Sequence, residues 1–291
     1  MGMGVRVADK PTDKPKSIAA KPDLASLGGL VLAFGGILAG LLLEGGKIRD
    51  VAQVTAAMIV LGGTIGAVMV SNPMPVLLSA AKKLPTIFLH KTQDTGEVID
   101  EIVSYAVKAR RGGIVSLEND ADGIADPFLR KALSLAVDGT DLAQIRGMME
   151  LEISVYESHG EAEAKVYESA GGYAPTIGII GAVLGLIQVM KNLANIDEVG
   201  RGIAVAFVAT VYGVASANIF FLPAATKLRA RMQHTVQLKE LMLEGVGGIV
   251  EGMNVKLIRT KLEAYQQAGA GAAKSSAKER KPADQPAAAE V

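Results

Sequence analysis

The sequence contains no cysteine, which excludes disulfide scaffolds, Cys-ligated zinc and thiol catalysis. Its three histidines, His90, His159 and His234, are too scattered for a His-rich metal site by spacing. Neither sign of charge is in excess. Thirty basic residues balance 30 acidic ones, so the chain exerts no overall electrostatic pull on nucleic acid. No phosphate loop, Ser-His-Asp spacing or metal motif occurs.

Charge is also absent locally, over long stretches. Leu24–Leu43, Val51–Ala81, Gly171–Met190 and Gly202–Thr226 hold no Asp, Glu, Lys, Arg or His. Each reaches or exceeds the ~20 helical residues that span the hydrocarbon core of a bilayer. These runs are apolar on all sides, whereas a helix covering a soluble core shows a single apolar stripe. Short connectors, Glu44–Asp50 and Lys191–Arg201, join the runs in two pairs.

The expected fold class is therefore an all-α membrane protein with four transmembrane helices in two hairpins. The spans are placed at 24–43, 51–71, 171–191 and 202–223. A cytoplasmic helical domain is expected over 72–170 and a cytoplasmic C-terminal helix over 224–267. The tails, 1–23 and 268–291, carry too few large apolar groups to fold. The first run is too long for a signal peptide and lacks a small-residue cleavage site, so it reads as a retained span.

Lys and Arg near the membrane ends set the orientation. Lys82, Lys83 and Lys91 follow the second run, and Lys227, Arg229, Arg231 and Lys239 follow the fourth. Both hairpin connectors are charge-balanced. This asymmetry places both termini and the middle segment in the cytoplasm.

The middle segment reads as helix. Val98, Ile102, Tyr105 and Ala109 recur at helical spacing up to the Gly112-Gly113 break. Ser116 reads as the N-cap of a new turn. Pro127 lies early in the next helical stretch, and Leu142, Ile145, Met149, Ile153, Tyr156 and Tyr167 share one side of a long helix over Asp141–Ala170. Met232–Leu262 continues helically, although Gly245, Gly247, Gly248 and Gly252 weaken that reading. No alternating strand pattern of useful length occurs.

Proton pathways need a titratable group within the membrane, and the four runs offer only hydroxyls and amides, among them Thr64, Thr210 and Tyr212. If this chain handles protons, another chain supplies the acid. Gly62–Gly66 and Gly181–Gly185 are small-xxx-small pairs that allow close helix approach. Pro175 and Pro223 lie near ends of the third and fourth runs. Each removes a backbone bond, to Gly171 and Ile219, as either a helix-end residue or a hinge. Arg110, Arg111 and Glu118 bracket the Gly112-Gly113 break, as either solvated surface or a contact.

The order of these parts resembles the MotA/PomA family of flagellar stator proteins, within the MotA/TolQ/ExbB proton channel superfamily. The resemblance covers about Leu24 to Gln267. It rests on Leu43-Glu44-Gly45-Gly46, Gly62-Gly63-Thr64-Ile65-Gly66-Ala67 and Pro73 in the first hairpin, and on Lys108 through Glu118. It also rests on Ala174 through Gly185 in the third span, and on Ala206 through Thr210 with Gly213 and Leu222-Pro223 in the fourth.

The resemblance implies a ring of several copies, five in the family, around two copies of a MotB-like peptidoglycan-binding partner. The partner's membrane helix supplies the ion-binding Asp. Ion flow would rotate the ring and turn the rotor through FliG, with no cofactor beyond the transported ion. Arg110 and Glu118, with Arg111 beside them, would face oppositely charged rotor residues. Pro175 and Pro223 would couple partner protonation to the cytoplasmic domain. Sodium stators of the family carry a Thr seven residues after the third-span Pro, matched by one in the fourth span. Here the first position is Ala182, while Thr210 is retained. A methyl group cannot ligate sodium, so proton coupling is expected. The alternative is an ExbB- or TolQ-like energy transducer of the inner membrane. A solute transporter or an intramembrane enzyme would need membrane charges or a nucleophile that the runs lack.

Overall fold

The computed structural model describes residues 21–90, 94–121 and 123–264. Most of the N-terminal tail, all of the C-terminal tail, and Lys91 lie outside the described residues.

Helix α1 spans Leu24–Leu43 and starts at Asp23, whose carboxylate accepts from the Ser26 amide at 3.1 Å. Composition groups Asp23 with the tail; the fold uses it as the N-cap. The helix ends in a Schellman closure. The amides of Gly45 and Gly46 donate to Leu42 and Leu41, and Gly45 takes φ +81°, which a β-carbon disfavours.

The second charge-free run is not one regular helix. It comprises α2 (Ile48–Val51), α3 (Val54–Ala57), a π-helical turn (Met58–Gly62) and α4 (Gly63–Ser71). Pro73 then precedes α5, Met74–Phe88. A two-residue antiparallel pairing joins β1 (Lys21–Pro22) to β2 (Leu89–His90), the only strand pairing among the described residues.

Next come α6 (Thr95–Gly112), a 3-10 turn (Ile114–Leu117), α7 (Glu118–Ala121) and α8 (Pro127–Val137). Helix α8 opens as its sequence dictates. Pro127 sits in the first turn, and the Asp126 carboxylate accepts from the Phe128 and Leu129 amides. Helix α9 runs unbroken from Leu142 to Lys191, and α10 from Ile196 to Ala215. A second π-helical turn, Ser216–Phe221, leads into α11, Leu222–Val250, and α12 covers 255–264.

Two expectations are corrected here. Ser116 is not an N-cap: its hydroxyl donates to the Gly113 carbonyl at 2.6 Å, closing the 3-10 turn from behind. Gly245, Gly247 and Gly248 do not interrupt α11, but the expected helix over Met232–Leu262 is not continuous: α11 stops at Val250, Gly252 takes φ +67°, and helix resumes only at 255. A β-carbon on Gly245 would stand 2.6 Å from Ile102, and one on Gly248 3.1 Å from Ile258. Tight packing against these neighbours overrides weak helix propensity.

The chain forms two compact units. One takes its described residues from 94–149 and 239–264, the other from 21–90 and 150–238. The first has a water-type core of Ile102, Leu117, Phe128, Leu133, Met149 and Leu241, each at most 2% exposed. Each such side chain stabilises by about 1.5–3 kcal/mol. Ile145 and Met149 of the expected α9 stripe lie in this core.

Four helices are long and apolar enough to cross a membrane; two lie within the second unit, and α9 and the α10–α11 run lie mostly in it, each with one end in the first. Helix α1 has no buried residue, and Val31 and Leu32 are more than 70% exposed. A surface of this kind suits lipid or neighbouring membrane chains. The expected 72–170 stretch contributes to both units, because α5 packs on α9. The Tyr167 hydroxyl donates to the Ala80 carbonyl at 2.9 Å, and Ser79 hydrogen-bonds the buried Glu163.

Candidate functional site

The bend between α6 and α7 carries Arg110, Arg111 and Glu118. Helix α6 reaches Gly112, and Gly113 turns the chain with φ +78°, a conformation open to glycine. Leu117 anchors the returning limb in the core at 1% exposure. An ion pair between Lys108 and Asp120 ties one limb to the other. Ser116 adds its hydrogen bond to Gly113. Arg110, Arg111 and Glu118 are all exposed and have no ion-pair partner among the described residues. Charges nearby are already engaged, including Arg146 and Lys261 on Glu244, and Arg259 on Asp100. The bend thus presents two positive charges and one negative charge to solvent on a pinned scaffold.

Helices α9 and α10 meet along a seam of small residues. A β-carbon on Gly185 would lie 2.7 Å from the Gly202 carbonyl, and one on Gly181 2.7 Å from the Ala209 methyl. A β-carbon on Gly178 would stand 3.2 Å from the Gly213 Cα, and one on Gly213 3.1 Å from the Gly178 Cα. The Gly181–Gly185 pair therefore does what its spacing suggests. Gly62 and Gly66 have no heavy atom within 4 Å of a built β-carbon, so this pair makes no close approach within the chain. Ala182 and Thr210 sit beside the seam, partly buried. The Thr210 hydroxyl donates to its own helix, at the Ala206 carbonyl, 3.2 Å away.

Pro175 and Pro223 have neighbourhoods that meet. Gly171, whose carbonyl Pro175 leaves without its helical donor, packs against Leu222, the residue before Pro223. A β-carbon on Gly213 would stand 3.2 Å from the Pro175 Cα. The π-helical turn Ser216–Phe221 ends two residues before Pro223, where the missing amide perturbs the ladder. Helix α9 shows no break at Pro175.

Sequence reasoning missed three sets of residues. Lys108 and Asp120 flank the bend with opposite charge, a signal available in the sequence. Tyr212 reads from the sequence only as a polar group within the fourth run. Its hydroxyl donates to the Val51 carbonyl at 2.5 Å and accepts from the Gln53 amide at 3.3 Å, spanning the break between α2 and α3.

The third set is Asp23 with Lys227 and Arg231. Both cations pair with the Asp23 carboxylate, and Arg231 also donates to the Leu89 and Ile87 carbonyls. The Lys227 ammonium, helped by the Ser26 amide, holds the Asp23 carboxyl far below its ordinary range. Arg229 grips Glu161 through both oxygens and also reaches Glu168 at 3.0 Å, which lowers the Glu161 pKa. The basic residues that follow the fourth run are thus partly neutralised in space. The topology rule counts Lys and Arg alone, so its reading is unaffected. Among the described residues, no group of three or more His, Asp or Glu could hold a metal ion.

Residues 120–241 match the MotA/TolQ/ExbB proton channel family, and residues 27–113 match the motility protein A N-terminal family. Motility protein A of Bacillus subtilis is 37% identical over 248 residues, covering 84% of this chain and 90% of that protein. Chemotaxis protein PomA of Vibrio alginolyticus is 32% identical, over 85% of this chain and 96% of its own length. Among solved structures, the MotAB of C. jejuni superposes with a TM-score of 0.80 at 32% identity, covering 84% of this chain and 95% of that one. The flagellar MotAB stator complex from Bacillus subtilis gives 0.77 at 36% identity, covering 83% and 95%. Four apolar helices, a glycine seam between α9 and α10 and matches along most of the chain agree: the protein is a multi-pass membrane protein that belongs to the motility protein A family, within the MotA/TolQ/ExbB proton channel family.

Proposed function

We propose that this chain is the A-type subunit of a proton-driven flagellar stator in the bacterial inner membrane, with both termini cytoplasmic. Copies of it, five by family resemblance, surround a MotB-like partner whose membrane helix brings the ion-binding Asp. Ion flow turns the ring, and the bend at Gly113 passes torque to FliG.

One observation carries this reading. Arg110, Arg111 and Glu118 stand exposed and unpaired among the described residues, on a bend pinned by Lys108 and Asp120. Exposed ion pairs contribute ~0–1 kcal/mol each and are screened by salt, which suits a contact made and released repeatedly. The lack of a membrane acid agrees with a carboxylate supplied by the partner. Adjoining neighbourhoods of Pro175 and Pro223 support a coupling role for both. The runner-up, an ExbB- or TolQ-like transducer, shares the broad family, but the relatives described above carry motility and chemotaxis names.

Charge reversal tests the rotor contact. Arg110→Glu should cut swimming without lowering the amount of assembled complex, and reversal of Arg111 as well should deepen the defect. Normal swimming in the double variant, or loss through poor assembly, rejects the contact. Proton coupling is tested separately, by swimming in sodium-free medium. Torque that is lost there and restored by sodium overturns it.

A further inference from the structure

A cavity of about 360 Å³ opens between α1, the end of α5 and the π-helical turn before Pro223. Its size lies at the small end of ligand pockets, about 300–1,000 Å³. Gly29, Leu30 and Ala33 form one wall, and Ile219, Phe220 and Pro223 form another. At one end stand Ser26 and Lys227. The cavity is therefore mostly apolar, with Asn218 as a polar group in the second wall and a basic group at the Ser26 end.

The basic end has a specific charge balance. Lys227 and Arg231 share one carboxylate, that of Asp23, so the cluster keeps one positive charge in excess. The Lys227 ammonium gives one hydrogen bond to Asp23 and one, at 2.6 Å, to the Ser26 hydroxyl. An ammonium has three donors, so one is left over. All of the apolar lining belongs to charge-free runs or to the last turn of α5, beside the Lys-rich side of the membrane segments.

We propose that this cavity holds one acyl chain of an anionic glycerophospholipid, with the lipid phosphate on Lys227. The surrounding bilayer supplies the chain, and basic pockets between membrane helices on the cytoplasmic side select anionic headgroups. A second apolar helix pressed over the same opening would leave the spare Lys227 donor and the extra positive charge without an acceptor. A zwitterionic lipid brings its own cation to the mouth and gains less there. Because Pro223 lines the cavity, the bound chain would lie against the hinge. This inference rests on the membrane-spanning reading of the helices and on the proposed cytoplasmic side of Lys227, not on the ion or rotor assignments.

The chain has no tryptophan, so Phe220→Trp provides its only indole, placed in the cavity wall. The variant, assembled with its partner subunit in vesicles, is compared with the parent complex, whose fluorescence is subtracted. Brominated phosphatidylglycerol should quench the indole about fivefold more effectively than brominated phosphatidylcholine, the factor for one net basic group near an anionic lipid. Excess inorganic phosphate should leave the quenching unchanged, which separates a lipid from a free phosphate. Gly29→Leu, at a site with no heavy atom within 4 Å of its β-carbon, should fill the cavity and abolish the preference. Equal quenching by the two lipids, or a preference that survives Gly29→Leu, overturns the proposal. So does a cross-link from position 29 to a second copy that forms equally well with or without lipid. As a check that needs no variant, the unaltered complex should retain phosphatidylglycerol in native mass spectrometry; retention of neither lipid, or of both equally, also overturns it.

Discussion

The Tyr212 hydroxyl donates a 2.5 Å hydrogen bond to the Val51 carbonyl, 161 residues earlier in the chain. Val51 ends α2, and the helix resumes only at Val54. The same hydroxyl accepts from the Gln53 amide. A phenol on α10 thus bridges both sides of a break at the start of the second apolar run, where the Gln53 amide also donates to the Val51 carbonyl at 3.2 Å. Tyr212→Phe keeps the ring and removes the hydroxyl. It should cost about 1 kcal/mol, read as a lower thermal midpoint of the purified complex. An unchanged midpoint would show that the break is satisfied by other means.

Under the proposed rotor contact, Lys108 and Asp120 should act only by positioning the charged bend. Lys108→Asp or Asp120→Lys alone places like charges across the bend and should reduce swimming. The double exchange, Lys108→Asp with Asp120→Lys, restores the pair and should recover most of it. If both single variants swim normally, the pair does not hold the bend.

The α9–α10 seam predicts a contrast between glycines of similar spacing. Gly185→Ala puts a methyl into backbone atoms 2.7–3.0 Å away, which cannot move as a side-chain tip can. Overpacking of this kind costs about 1–3 kcal/mol, so less folded protein should accumulate in the membrane. Gly62→Ala meets no atom within 4 Å and should leave accumulation unchanged. Equal effects at the two positions would refute the seam.

Asp23 makes a pH-dependent contribution of defined sign. Its carboxyl is held well below the ordinary value of 3.8 in the fold. A depressed acid stabilises fully above its unfolded pKa and loses that contribution as pH falls towards its folded one. The stability gap between the parent and Asp23→Asn should therefore be constant above about pH 5 and narrow below about pH 4. Thermal midpoints measured across that range test it. A gap that widens on acidification would contradict the ion cluster.

Fold class and span number were legible because membrane insertion depends on one-dimensional properties: run length and absence of charge. The end of α6 and the start of α8 were legible for a similar reason, since Gly112-Gly113 and Pro127 act on their own neighbours. The candidate bend was legible in part. Arg110, Arg111 and Glu118 stand out by charge and by resemblance, while the Lys108–Asp120 clamp requires knowing that the chain doubles back.

Sequence by itself determined that four stretches of this chain cannot rest in water and that none of them carries a proton-binding group. It also set the order of hairpin, helical segment, hairpin and helix. Only the tertiary structure decided which glycine pair closes on a neighbour, which prolines have touching surroundings, and where the basic residues after the fourth run find their acids. Gly62–Gly66 and Gly181–Gly185 read alike as spacings, yet only the second faces another helix of the chain. Asp23 reads as the end of a tail, yet it caps α1 and receives Lys227 and Arg231 from across the fold. Hydropathy and charge add along the chain, so sequence can report them. Close approach and ion pairing depend on distances between segments far apart in sequence, which exist only once the helices have packed.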